Sequence, residues 1–284
     1  MRGNTMKYSA CKARSLVTGV VTTAMSATLL LSSVNALAFK ETGKIIAGSD
    51  MTYAPYEYMD NGKPAGFDIE FLAGVAKEMG VESENIDTRW ANLIPGLRGG
   101  RFDILNSSMY ITAERVKVID MIPYLKSGQS IIAPTAKDFQ PKTFEDLCGH
   151  KVGTMAGTAF LKKVQTVSAD YCDANGLGSI KISEYPTDPE ATQAVLSGAV
   201  EVQVTDASIA KGVVKKLNGR IGVSSDTILF PVLNGFAVKK GNDEVKQALI
   251  AGIEKFSKTP EYKALLNKYN FQAPNAEDLK TLMP

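Results

Sequence analysis

Short apolar strands alternate with amphipathic helices along residues 44–105; the alternation stops, then starts again at residue 151. Residues 44–48, 86–90 and 102–105 read as strands. Between the first two lies a helix opened by Asp68, with Ile69, Leu72, Val75, Ala76 and Met79 at helical spacing and Gly80 ending it. Residues 93–97 form a helical turn that tolerates Pro95 early on. Residues 49–57 read as a loop, and Asp60-Asn61-Gly62 as a tight turn. Residues 123–134 break the rhythm, and Ser127-Gly128-Gln129-Ser130 reads as a crossover. Strands then follow at 151–154, 180–185 and 200–204, with helices to about 167, from Asp188-Pro189, and to about 217. Residues 229–238 read as a second crossover, and the tail as helices at 245–256 and 261–269. Such alternation predicts α/β architecture with mostly parallel sheets covered by helices. Two units joined by two crossings predict two lobes, each a mixed sheet flanked by helices, with both chain ends in the first.

Residues 1–38 predict a signal peptide. Arg2, Lys7, Lys12 and Arg14 precede an apolar stretch at 16–31 that is too short and polar for a membrane span, and Ala36-Leu37-Ala38 is a small-x-small cleavage site. Removing it takes four basic residues from 32, leaving 28 against 30 acidic ones, so the mature chain is near −2 rather than +2. No basic stripe suggests nucleic acid. Cys148 and Cys172 remain after cleavage, and export to an oxidising compartment predicts a disulfide between them. With His150 the sole histidine and no Cys/His cluster, neither metal nor cofactor is expected.

Residues 103–115 carry the chemistry. A strand leads into a hydroxyl-rich loop of Ser107 and Ser108, and Thr112 reads as the N-cap of a helix with Glu114 in its first turn. Arg115 stands where a capping box would want Glu or Gln. A cation there opposes the helix dipole, so an anion in front of it is the natural reason for its presence. Asp206 and Gly157-Thr158 also follow strands, where α/β sheets bind ligands.

Tyr53-Ala54-Pro55-Tyr56, Gly66-Phe67-Asp68-Ile69, Leu93-Ile94-Pro95-Gly96-Leu97, Gly100-Arg101-Phe102-Asp103 and Ile111-Thr112-Ala113-Glu114-Arg115 together resemble the family 3 periplasmic solute-binding proteins, the polar amino-acid receptors of ABC importers. Lys151-Val152-Gly153, Gly157-Thr158 and Asp206 look like that family's second lobe. The resemblance implies the type II periplasmic-binding-protein fold, with one lobe at 39–129 and 233–284 and the other at 130–232. It implies that Arg115 clamps a ligand α-carboxylate in bidentate fashion, helped by Ser108 or its backbone and by the Thr158 amide, and that Asp206 faces the α-ammonium. Tyr53 and Trp90 match side-chain walls, and Ser107 and Met155 match further pocket positions. Tyr110 departs from the family's usual Thr or Ser, as Ala91 departs from Asp; an aromatic at Tyr110 is similar to ectoine receptors. Tyr53, Trp90 and Tyr110 could then cage a substituted cation, whereas Asp206 favours an ordinary ammonium. Tyr56 and Glu57 read as structural and Phe160 as core.

The expected protein is a monomeric periplasmic receptor that takes an amino-acid-like ligand to a membrane permease and performs no chemistry. The alternatives are an enzyme on the same fold, similar to cyclohexadienyl dehydratase, and a receptor for an ectoine- or betaine-type solute. No Ser-His-Asp or Cys-His set supports the enzyme.

Overall fold

A computed structural model describes residues 39–225 and 228–284. The expected leader, 1–38, lies outside the described residues. β1 (Lys44–Ser49) is buried from Ile45 onward, as a central strand covered on both faces must be. It pairs in parallel with β5 (Glu82–Asp87) and β6 (Ile104–Tyr110). α1 (Phe67–Met79) crosses between them and buries Phe67, Phe71, Leu72, Val75 and Ala76.

Asp68 does not cap this helix. The N-cap is Gly66, at φ 118°, where a Cβ would stand 2.3 Å from the Tyr56 carbonyl oxygen. Asp68 lies inside the first turn, and its carboxylate serves β6 instead. The loop read at 49–57 contains part of a small antiparallel sheet: β2 (Thr52–Tyr53), β3 (Glu57–Asp60) and β4 (Lys63–Ala65). Asn61 and Gly62, both left-handed, make the turn between β3 and β4. The strand read at 86–90 ends earlier, because Trp90 opens a 3-10 turn, Trp90–Asn92, that runs into α2 (Leu93–Arg98).

The break read at 123–134 is one continuous strand, β7 (Ile119–Pro134). From Ile119 to Gln129 it runs antiparallel to β12 (Leu229–Lys239). From Gln129 onward it pairs with β10 (Val202–Asp206) and β11 (Ile221–Val223). A single strand therefore serves both halves. The resulting nine-stranded sheet has the order β5-β1-β6-β12-β7-β10, followed by two further strands at 151–155 and 181–185, with β11 paired to β7. Beyond the crossing, β8 (Lys151–Met155) lies in parallel between β9 (Lys181–Tyr185) and β10. α3 (Ala159–Val167), α4 (Asp188–Ser197) and α5 (Ala207–Lys216) connect these strands. Thr187 and Glu190 form a reciprocal capping box on α4, with Pro189 in its first turn.

The chain returns through α6 (Asp243–Phe256) and α7 (Pro260–Tyr269), which pack on α1. A last helix, α8 (Ala276–Leu282), has no counterpart in the sequence reading. It docks through Asp278, which pairs with Lys126 of β7. Cys148 and Cys172 are joined in a disulfide, tying the segment before β8 to a π-helical turn, Ser168–Asp173, that extends α3.

Candidate functional site

The helix expected after Thr112 is only a 3-10 turn, Arg115–Lys117, although the Thr112 hydroxyl does accept the Arg115 amide at 3.3 Å. The Arg115 side chain turns back toward the strand ends. Its Nη1 donates to the Tyr110 carbonyl at 2.8 Å and its Nη2 to the Gly157 carbonyl at 3.4 Å. The guanidinium lies 5.1 Å from the centre of the Trp90 ring. Burial lowers its pKa to about 10, so it remains a cation at neutral pH. Among the described residues it has no carboxylate partner. A half-buried cation held only by carbonyls and a ring retains strong attraction for an anion. Beside it opens a cavity of about 420 Å³ whose walls include Arg115, Gly157, Thr158 and Lys163.

Thr158 is the N-cap of α3: its hydroxyl accepts the Leu161 amide at 3.2 Å and donates to the Met155 carbonyl at 2.7 Å. The first N–H groups of α3 have no acceptor within the helix and face the same end. Met155, at the end of β8, is buried. Gly157, left-handed at φ 70°, turns its carbonyl toward both Arg115 and the Trp90 indole N–H, which donates to it at 3.1 Å. Trp90 and Arg115 of one half thus meet Gly157 and Thr158 of the other.

The second pole is Asp206, at the end of β10 and the N-cap of α5. It is fully buried. Its Oδ1 accepts the Ser208 amide at 2.8 Å, the Ile209 amide at 3.4 Å and the Tyr56 hydroxyl at 2.9 Å. Its Oδ2 accepts the hydroxyls of Tyr110 at 2.7 Å and Ser127 at 2.6 Å. Burial raises its pKa, and these donors oppose the rise. Tyr110 belongs to both poles: its carbonyl holds Arg115 and its phenol holds Asp206. Its hydroxyl also lies 2.8 Å from the Gly128 carbonyl, and Phe160, buried as expected, meets its ring edge-on at 6.1 Å. In this arrangement Tyr110 is a hydrogen-bond donor. Tyr53 stacks on Tyr56 with centroids 5.7 Å apart.

Ser107 and Ser108 are not in a loop but within β6, and both face acids from elsewhere in the chain. The Ser107 hydroxyl donates to Glu57 Oε1 at 2.6 Å and accepts the Asp50 amide at 3.0 Å. The Ser108 amide donates to Asp68 Oδ2 at 2.6 Å, while Asn234 donates to the Ser108 carbonyl and hydroxyl, both at 3.0 Å. Ser108 takes the left-handed region at φ 41°. Glu57 and Asp68 are fully buried. Burial drives the Glu57 pKa well up, with the Asp68 charge adding to it, and burial raises Asp68 to about 6. Burial and the Asp68 charge together favour the protonated form of Glu57.

The structure therefore brings Arg115, Trp90, Tyr110, Thr158 and Asp206 together at the seam between the halves. The Ser107 and Ser108 side chains are engaged inward instead. Sequence reasoning missed Tyr56, which it read as structural, and Ser127, which it read only as a crossover. Neither carries a local signal, since Tyr56 lies 150 residues from Asp206 in sequence.

The model of the bacterial extracellular solute-binding proteins, family 3, matches residues 45–273. The chain belongs to this family. The match takes in both halves and both poles of the site. Among curated relatives, the L-cystine-binding protein TcyJ of Escherichia coli K12 is 28% identical over 232 residues, 81% of this chain and 84% of the relative. Among solved structures, an ancestral arginine-binding protein bound to arginine is 32% identical with a TM-score of 0.73, covering 80% of this chain and 98% of that one. The ancestral amino acid-binding protein AncCDT-1, a precursor of cyclohexadienyl dehydratase, is 32% identical with a TM-score of 0.66, covering 80% of this chain and 95% of that one. The architecture is the type II periplasmic-binding-protein fold.

Proposed function

We propose that this family 3 protein is a periplasmic receptor that closes two lobes on an α-amino acid or a derivative of one and delivers it to the permease of an ABC importer. Arg115 takes the α-carboxylate and Asp206 the α-ammonium, with Trp90 and Tyr53 as walls and the α3 N-terminus at Thr158 assisting Arg115. The observation that carries this reading is the half-buried Arg115 guanidinium, bonded among the described residues only to carbonyls, one tyrosine away from the buried Asp206 carboxylate. An α-amino acid has the matching pair of charges. The names of the relatives, which bind cystine or arginine, agree with that class.

On this reading the lobes are 39–129 with 233–284, and 130–232, and they hinge where β7 and β12 pass between them. The leader at 1–38 is removed on export and the mature protein acts as a monomer. Binding, not chemistry, is its activity. The test is a thermal-shift screen of the mature protein against the standard amino acids, L-cystine, ectoine and glycine betaine, with chromatographic recovery of whatever binds. A bound ligand raises the melting temperature by mass action. One amino acid that stabilises the protein and returns unaltered is the expected result. Recovery of a changed product would make the protein an enzyme, and a response to ectoine or betaine alone would remove the Arg115–Asp206 pairing.

A further inference from the structure

Gln129 stands at the crossing in β7, paired with Leu229 of β12 on one side and Asp206 of β10 on the other, and it is fully buried. Both ends of its amide, Nε2 and Oε1, have no hydrogen-bond partner among the described residues. Other buried amides differ: Asn106 donates to the Asp68 carbonyl and to Asn85, and Asn234 donates to Ser108. Gln129 engages neither end. A buried amide left wholly unpaired costs stability unless something else completes it.

Its position indicates what does. Gln129 and Asp206 are direct partners across the antiparallel β7–β10 ladder, so their side chains leave the sheet on the same face. Side chains of a strand alternate with period two. Ser127, two residues earlier, bonds Asp206 Oδ2, which puts Gln129 on that face by a second argument. The amide therefore neighbours the carboxylate proposed to meet the ligand's ammonium. That carboxylate already receives five donors: two amides and the hydroxyls of Tyr56, Tyr110 and Ser127. Two carboxylate oxygens offer about four lone-pair directions. An arriving ammonium brings three N–H groups and finds most of the lone-pair directions of Asp206 already engaged.

We infer that Gln129 is a ligand-binding residue: its Oε1 accepts an N–H of the ligand's α-ammonium while Asp206 supplies the opposing charge. The inference rests on the amino-acid reading above. Gln129 has a free acceptor, it is buried with the site, and its free Nε2 donates to a second polar atom of the same ligand. It also gives the ligand a contact on the crossing strand itself, so ammonium binding engages the hinge directly.

The test is Gln129→Met, which keeps length and removes both polar atoms. The probes are the standard L-amino acids and L-cystine, each paired with its α-hydroxy acid, measured by calorimetry against wild type. Affinity for the amino acid should fall by about tenfold or more, and selectivity over the hydroxy acid should shrink with it. The melting temperature of the unliganded variant should hold or rise, since an unpaired buried amide is removed. Unchanged affinity, or a fall in melting temperature alongside lost affinity, would overturn the role of Gln129 and leave the amino-acid reading in place. Wild-type protein that binds no amino acid, with Arg115→Ala behaving identically, would remove both.

Discussion

Arg115 and Asp206 are charges that the folded chain does not neutralise with each other; Tyr110 stands between them. Arg115→Ala should lower affinity for the amino-acid ligand at least a hundredfold by calorimetry, because a buried ligand carboxylate would lose its charged partner. Circular dichroism should show the fold intact, since only carbonyls and the Trp90 ring lose a neighbour. Wild-type affinity in that variant would remove the carboxylate socket. Tyr110→Phe deletes one donor to Asp206 and should cost about 1–2 kcal/mol in a denaturant titration. Arg115 was legible in the sequence because it sits against the expected chemistry of a helix start, even though the helix itself shrank to one turn. The partners of Asp206 were not, because Tyr56, Tyr110 and Ser127 reach it from 150, 96 and 79 residues away. No window of sequence contains that cluster.

Elements whose signals are local were read well. The helix start read at Asp188-Pro189 is the start of α4, with the cap one residue earlier at Thr187, which forms a complete capping box with Glu190. Thr187→Ala should therefore destabilise the protein by about 1 kcal/mol in urea. β6 was misread from Ser107 onward because hydroxyl residues look like loop. They remain in a strand because Glu57 and Asp68, held by β3 and α1, satisfy them from below. The crossover read at Ser127–Ser130 is there, but as the middle of one long strand that keeps Pro123 inside it and changes pairing partner midway. The disulfide ties α3's extension to the segment before β8, across a separation of 24 residues. Replacing both cysteines with serine should lower stability by about 3 kcal/mol under oxidising conditions. Adding reductant should then move the wild-type melting curve toward that of the double variant and leave the variant's own curve in place.

For the molecule as a whole, buried acids set the pH dependence. Burial raises Asp68 to about 6 and Asp188 to about 7, and it raises Glu57 and Asp206 as well. Each binds its proton more tightly folded than unfolded, where an aspartate titrates near ~4. Their contribution is full below ~4 and is lost as pH rises through about 6 and 7. The melting temperature should therefore fall between about pH 4.5 and pH 7.5 and level off above; a curve that rises over that interval would contradict the protonated Glu57–Asp68 pair. The chain's single tryptophan, Trp90, is bonded across the seam to Gly157 and covered by the Arg115 guanidinium. Opening or filling that seam changes the polarity around one indole and no other. The protein thus contains its own fluorophore at the place where its two halves meet, and its emission can follow ligand capture in real time without any label attached.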